Sequence, residues 1–333
     1  MASVPKINTD IVTMTRFLIQ EQQKVGDATG DFTILLTAIQ TACKFIANKV
    51  KKAGIANLYG QANQSNTSGD EVKKLDVLSN EVFVNALVNS NKVAIMVSEE
   101  DEKQIEVDLN KQGKYVVSFD PLDGSSNIDA NVSIGSIFAI WKRQTEQGTP
   151  ANEKDYLRDG NGIIASGYCL YGSSVHLLLA MKGHVNGFTL DPSIGEFIMT
   201  HPDIKFPTKP QKIYSINEGN TLVWNDTIKK YINKLKIPES GNIKDAYKAR
   251  YIGSMVADIH RTLLYGGIFL YPEDNVSKNG KLRILYECFP MAYVVEQAGG
   301  ACISQGKRLL DIQVTSIHQR CGIIAGSKNM VEE

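Results

Sequence analysis

The chain has 333 residues, 43% of them hydrophobic, with 36 lysines and arginines against 36 aspartates and glutamates, so its formal net charge is zero. That length and apolar content suffice for one large layered domain or two domains around a substantial core. Balanced charge gives no sign of nucleic-acid or anionic-membrane binding, and no apolar run reaches transmembrane length. The first 23 residues lack an apolar signal core, so a cytoplasmic protein with neither nucleic-acid nor membrane partners is expected.

Ile11, Met14, Phe17 and Leu18 follow Asp10 with helical spacing and predict a short amphipathic helix. A longer helix is read from Leu35, Ile39, Cys43, Ile46 and Val50, stopping at Gly54 after a basic run. Thr29, Gly30, Asp31, Phe32 and Thr33 stand at its start, where free backbone N–H groups favour a phosphate; a plain Thr/Asp helix cap satisfies the same pattern. Residues 60–69 carry too little apolar surface to fix a conformation and are expected to form a mobile loop that brings Asp70 towards a site or withdraws it. Leu75, Leu78, Val82 and Leu87 then recur with helical spacing, close to Asp76.

Three apolar, strand-like runs next end in acid: residues 93–97 at Glu99 and Glu100, residues 115–119 at Asp120, and residues 282–286 at Glu287. In open α/β sheets ligands bind beyond the carboxyl ends of strands, so these ends are expected to converge; separate solvated acids are the alternative. The middle run is followed by Asp120, Pro121, Leu122, Asp123, Gly124, Ser125 and Ser126. Pro121 pre-sets the turn so that both aspartates can face one cation, Gly124 permits close backbone approach, and the serines offer hydroxyl and N–H donors to an anion. Five converging carboxylates without histidine would repel one another unless hard divalent cations neutralised them, which favours Mg²⁺ or Mn²⁺. Proline and lysine interrupt the pattern at 202–210, a candidate boundary between residues 1–201 and 202–333, after which strands and helices alternate. The five cysteines, Cys43, Cys169, Cys288, Cys302 and Cys321, lack metal-ligand spacing and read as reduced, mostly buried thiols.

The acidic heptad continuing through Asp129, with residues 73–80, 98–101, 190–197, 249–258 and 279–283, resembles fructose-1,6-bisphosphatase of the eukaryotic type over nearly the whole chain. The heptad alone indicates the wider lithium-sensitive phosphatase superfamily, which includes inositol monophosphatases and bisphosphate nucleotidases. The resemblance implies an α/β fold layered α-β-α-β-α with two mixed or antiparallel sheets. It implies an AMP-binding domain, residues 1–201, that carries much of the metal site, and a sugar-bisphosphate domain, residues 202–333, in a cytoplasmic homotetramer. The implied reaction is Mg²⁺-dependent hydrolysis of the 1-phosphate of fructose 1,6-bisphosphate in gluconeogenesis, inhibited by AMP. Two to three metal ions per subunit are implied, with Mn²⁺ or Zn²⁺ as substitutes.

Position by position, the resemblance places metal ligands on Glu99, Asp120, Asp123, Glu287 and the Leu122 carbonyl, with Asp70 serving a further loop-associated metal. Asp76 and Glu100 match the pair that orients and deprotonates the attacking water. Gly124, Ser125 and Ser126 match the 1-phosphate cradle, and Asn217, Tyr251, Tyr271 and Lys281 match the sugar and 6-phosphate contacts, with Arg250 supplied across the subunit interface. Alone, Tyr271 reads as a strand-end aromatic, and Lys281 and Arg283 as solvated strand residues. The AMP loop falls on Thr29 to Thr33, with Lys114, Tyr115 and Lys142 as remaining contacts. Three departures are visible: Asn220 where the family has tyrosine, Lys142 where it has arginine, and Asp31 where it has glutamate. Two rival readings stay open: another phosphatase of the superfamily, or a catalytically silent AMP-sensing or scaffolding protein. The second loses ground because every acidic ligand is present.

Overall fold

The computed structural model describes residues 10–55, 61–65 and 71–333. The first layer is helical: α1 (Met14–Gln23), α2 (Asp31–Lys51) and α3 (Lys74–Asn89). The Thr13 side chain caps α1 by accepting the Arg16 N–H at 3.1 Å. Helix α2 buries Leu35, Ile39, Cys43 and Ile46 on the predicted face. In α3 the fully buried stripe is Leu75, Ser79, Phe83 and Leu87, whereas Leu78 and Val82 are half-buried. Phe83 sets that rotation by stacking on Phe119 of the sheet below, ring centroids 5.1 Å apart. Between α2 and α3, β1 (Gln61–Ser65) pairs antiparallel with β2 (Glu71–Lys73), so a strand occupies part of the expected loop. Asp70 lies outside the described residues.

The second layer is an eight-stranded sheet built from β3 (Val93–Ser98), β4 (Ile105–Glu106), β5 (Tyr115–Asp123), β6 (Ile134–Lys142), β7 (Ile163–Tyr171), β8 (Val175–Met181), β9 (His184–Asp191) and β10 (Glu196–His201). Its order is β10-β9-β8-β7-β6-β5-β3-β4, and every neighbouring pair is antiparallel except β3 and β5. Strand periodicity gives each face its own core. In β6, Ile134, Phe138 and Ile140 pack under α1 to α3, while Ile137, Ala139 and Trp141 face the opposite way.

Helix α4 (Asp226–Lys236) lies beyond a second sheet, and α5 (Met255–Tyr265) and α6 (Phe289–Gln297) fill the space between the sheets. The second sheet contains β11 (Ile213–Ser215), β12 (Lys248–Ala249), β13 (Ile268–Tyr271), β15 (Ala301–Ser304), β16 (Lys307–Arg308) and β18 (Ile323–Gly326), in the order β12-β11-β13-β18-β15-β16. It is mixed, β11 running parallel to β12 and β13. Outside it, β14 (Leu282–Arg283) pairs with β17 (Arg320–Cys321). In β13, Phe269 joins the core between the sheets, while Ile268 and Leu270 turn outward to α4 and α7 (Lys328–Val331). Helix α6, sandwiched on both sides, is apolar nearly all round. Five α-β-α-β-α layers thus enclose three cores, and the middle core binds residues from both halves of the chain.

Gly135 on β6 makes the approach of α5 possible: a Cβ there would meet the Cys169 carbonyl oxygen and Val256 Cγ1 at 2.7 Å each. This contact brings the first turn of α5 against the acidic end of β5.

Candidate active site

Because β3 and β5 are parallel neighbours, their carboxyl ends emerge at one edge, and the Glu99 N–H donates to the Phe119 carbonyl at 3.2 Å. Strand β5 does not stop at Phe119. It runs through Asp123, with a register shift against β6 between Asp120, opposite Ile137, and Asp123, opposite Gly135. The bulge suits Pro121, which has no N–H to lose from the ladder. Its carbonyl accepts the Ser136 hydroxyl at 2.7 Å, and the Leu122 N–H donates to Asp120 Oδ1 at 2.9 Å. Gly124, with φ +81°, turns the chain into a six-residue 3-10 helix, Ser125–Ala130, rather than an α-helix. Asn127 pins that turn by donating from Nδ2 to the Gly253 carbonyl at 3.0 Å.

Glu287 arrives differently from the expectation of a third strand end. Strand β14 is two residues long, and residues Ile284–Cys288 form a π-helix leading into α6. The wider coil turns the Glu287 carboxylate back to accept the Arg283 N–H at 2.6 Å, and the Ser118 hydroxyl holds the turn to β5 by donating to the Leu285 carbonyl at 2.6 Å. Carboxylate oxygens of Asp120, Asp123 and Glu287 consequently lie within 4.8 Å of one another, all three buried. Glu99 stands beside them, 3.4 Å from Arg283 Nη1. Asp123 also accepts the Val256 N–H of α5 at 3.3 Å.

Burial first, and then the neighbouring carboxylates, push these acids up. Asp120 and Glu287 lie well above the usual carboxylate range, and Asp123 rises to about 7. Glu100 rises to about 8, again from burial and then from Glu99, Asp76 and Asp101. Asp76 is buried in the first turn of α3. Asn80 orders this corner, accepting from the Ser98 hydroxyl at 2.7 Å and donating to Asp101 at 2.8 Å. Such a set of oxygen donors, too crowded to ionise together, fits divalent cations of the Mg²⁺ type.

Beside the acids, a cavity of about 90 Å³ is lined by Asp123, Gly124, Tyr251, Ser254, Tyr271 and neighbours. Asp258, fully buried, shapes its wall by accepting the Ile252 N–H at 3.1 Å and the Gly253 N–H at 3.0 Å, and it pairs with Arg261 at 2.7 Å. The Ser254 hydroxyl is buried with no hydrogen-bond partner among the described residues. Ser125 and Ser126 open the 3-10 turn beside Gly124. Asn217, Arg250 and Lys281 are exposed and do not line this cavity, and the Asn217 side chain accepts the Gly219 N–H at 3.0 Å. Ser254 carries no signal in the sequence reading, and Arg283 reads there as solvated. Arg283 is in fact 7% exposed, and a cation inside an apolar run that ends in acid was the available signal.

Two family models divide the chain between them: the fructose-1-6-bisphosphatase N-terminal domain matches residues 12–202, and the C-terminal domain matches residues 207–333. The chain belongs to the fructose-1,6-bisphosphatase family. A cytosolic fructose-1,6-bisphosphatase of Arabidopsis thaliana is 56% identical over 326 residues, 98% of this chain and 94% of the relative. That of Spinacia oleracea is 53% identical over 327 residues, again 98% and 94%. Among solved structures, Leishmania major fructose-1,6-bisphosphatase in holo form superposes with a TM-score of 0.90 at 45% identity, covering 97% of each chain. Its T-state form gives 0.85 at 44% identity with the same coverage. These likenesses establish the layered sugar phosphatase fold and a phosphatase activity of the fructose-1,6-bisphosphatase type.

The residues expected to serve the bisphosphatase family's AMP site also come together. A second cavity, about 730 Å³, is lined by Thr29, Gly30, Asp31, Phe32, Thr33, Lys114, Tyr115 and Lys142, together with residues of α1, β7 and β9. Gly30, with φ +80°, caps α2 with no side-chain hydrogen bond among the described residues, and the helix starts at the cavity wall. Phe32 and Tyr115 pack at 5.7 Å between ring centroids.

Proposed function

We propose that this enzyme hydrolyses the 1-phosphate of fructose 1,6-bisphosphate to fructose 6-phosphate and inorganic phosphate, as a Mg²⁺-dependent step of gluconeogenesis in the cytosol. The observation that carries the reading is the buried approach of Asp120, Asp123 and Glu287 within 4.8 Å, beside a cavity bounded by Gly124 and two tyrosines. Glu99, Asp120, Asp123, Glu287 and the Leu122 carbonyl would hold two ions, with Asp70 adding a third, and Mn²⁺ or Zn²⁺ could substitute. Bound there, the ions supply Lewis-acid polarisation of the phosphoryl group and stabilisation of the departing alkoxide.

The protein's own residues supply positioning and proton transfer. Gly124, Ser125 and Ser126 hold the 1-phosphate through N–H and hydroxyl donors. Glu100 and Asp76 orient the attacking water, and a carboxylate of this pair takes its proton as the new P–O bond forms and the bond to the C1 oxygen breaks. A raised affinity of Glu100 for protons suits it to accept one near neutral pH. Tyr251, Tyr271, Asn217 and Lys281 hold the sugar and 6-phosphate, with Arg250 of a neighbouring subunit in a homotetramer. Residues 202–333 would thus form the sugar-binding domain, and residues 1–201 the effector domain with most of the metal ligands.

AMP is the proposed effector of the 730 Å³ cavity, supported by the open N-terminus of α2 together with Lys114, Tyr115 and Lys142. AMP binding would inhibit turnover by favouring a tetramer state in which the Asp70 loop is disengaged. Phosphate release should be measured with fructose 1,6-bisphosphate, an inositol monophosphate and a bisphosphate nucleotide, with and without Mg²⁺ and AMP. Mg²⁺-dependent release from the sugar bisphosphate, suppressed by AMP, is expected. Preference for either other substrate would overturn the substrate assignment, and a flat response to millimolar AMP would overturn the regulation.

A further inference from the structure

At the effector cavity, two lysines close to where a phosphate would sit, Lys114 on the wall and Lys92 next to Asp31, are already engaged. Asp31, in the first turn of α2, places Oδ1 2.7 Å from Lys92 Nζ and Oδ2 2.7 Å from Lys114 Nζ. Its Oδ2 also accepts the Thr29 hydroxyl at 2.7 Å, and Lys114 reaches that hydroxyl at 3.3 Å. The carboxylate is 17% exposed and Lys92 24%, so that pair is more protected than a surface ion pair, whereas Lys114 is exposed on the cavity side.

An acid in the first turn of a helix ordinarily serves the helix, through the macrodipole and the free N–H groups. Asp31 instead directs both oxygens away from its own helix, to lysines that precede β3 and β5 in the sheet layer. Gly30 caps the helix with no side-chain hydrogen bond among the described residues, and residues 30–33 of this first turn line the cavity. The cavity therefore presents a helix start for an anion while Lys114 on its wall is held by Asp31, and Lys142 lines it as a further cation.

We propose that Asp31 is a resident counter-anion of the effector cavity, which a phosphate-bearing ligand must displace to reach Lys114 on the cavity wall, and that Lys92, which pairs with Asp31 without itself lining the cavity, becomes a phosphate contact once released. The proposal rests on reading this cavity as the AMP site, and it adds Lys92, which the sequence did not suggest. Lysines held around the Asp31 carboxylate keep it far below the ordinary range, so it stays charged and competes at every physiological pH. Asp31 is one methylene shorter than the glutamate common in the family, and in this position it sets how much phosphate charge an effector needs in order to bind.

The test is calorimetric titration of the full chain with AMP and with adenosine, comparing the native protein with Asp31→Asn and with Asp31→Asn/Lys92→Ala. Asp31→Ser serves as a second way of removing the carboxylate, and a melting curve accompanies each variant. Removing the carboxylate should tighten AMP binding about tenfold, the scale of two partly screened ion pairs, and leave adenosine unaffected. The added Lys92→Ala change should take back most of that gain. AMP binding to Asp31→Asn alone, with none measurable to the native chain, would be the same result in stronger form. If the native chain binds AMP and neither carboxylate-free variant binds it more tightly, the counter-anion role fails while the AMP site stands. If neither native chain nor variants bind AMP, the AMP site and this inference fall together. An equal gain for adenosine would also overturn the proposal, because it would locate the effect in packing rather than charge.

Discussion

Two regions of this molecule gather charge in opposite ways. At the carboxyl ends of β3 and β5, Asp120, Asp123 and Glu287 are crowded and buried with Glu99 beside them, so they cling to protons. At the start of α2, one carboxylate sits between two lysines and is driven the other way. The first region has more negative charge than its own arginine balances and calls for added cations. The second keeps a net positive charge, with Asp31 held between two lysines, so an anion entering it must compete with that carboxylate for Lys114. The direction of a carboxylate's proton affinity thus identifies what each site lacks.

The largest expected effect lies at the acidic centre. Asp120→Asn should lower kcat by about 100- to 1,000-fold, as expected when one key electrostatic group is lost. The same variant should melt at a higher temperature than the native chain when both are stripped of metal, because it removes a buried carboxyl that must either take up a proton on folding or repel its neighbours. Unchanged turnover at saturating Mg²⁺, or a lower metal-free melting temperature, would break the contrast drawn above. Glu100→Gln should cost about 100-fold in kcat with KM little altered, the usual weight of a lost general base, and steady-state kinetics would reveal a KM-only effect as evidence of mere substrate binding.

Next in size is a pH effect on stability. Asp123 rises from 3.8 to about 7 in the folded protein, so between those values the folded state binds more protons than the unfolded chain. Stability without metal must then fall as pH rises from 4 towards 7 and stay at the reduced level above that range. Melting curves in chelator should drop by a few degrees between pH 6 and pH 8, and Mg²⁺ should remove the difference. Melting temperatures that climb over this interval would contradict the carboxylate crowding. The smallest effect belongs to the effector cavity. Lys142→Arg, which restores a bidentate fork, should tighten AMP about threefold, the scale of a single exposed charged contact, and an unchanged or weaker titration would remove Lys142 from the phosphate's neighbourhood.

What could be read in the sequence follows from how locally each feature is encoded. Asp120 and Asp123 are three residues apart around a proline, so their convergence is a short-range matter. Glu99 joins them because apolar runs flanked by acids predict strand ends, and parallel pairing brings those ends to one edge. Glu287 does join the acidic cluster, but from a different element than its apolar run suggests. Its π-helix is tied to the sheet by the Ser118 hydroxyl, 167 positions from the Leu285 carbonyl it holds, a contact that no local periodicity records. The rotation of α3 likewise differs by one position from the apolar count, because the contact of Phe83 with Phe119 fixes its face. The engagement of Asp31 by Lys92, 61 positions away, has no sequence signal at all.

The central claim is that acids from separate segments form one divalent-cation centre, and the most direct measurement is the anomalous diffraction of Mn²⁺ soaked into crystals of the native chain. Strong peaks within coordination distance of Asp120, Asp123 and Glu287 are expected. Peaks only at other carboxylates, or none at saturating Mn²⁺, would contradict it.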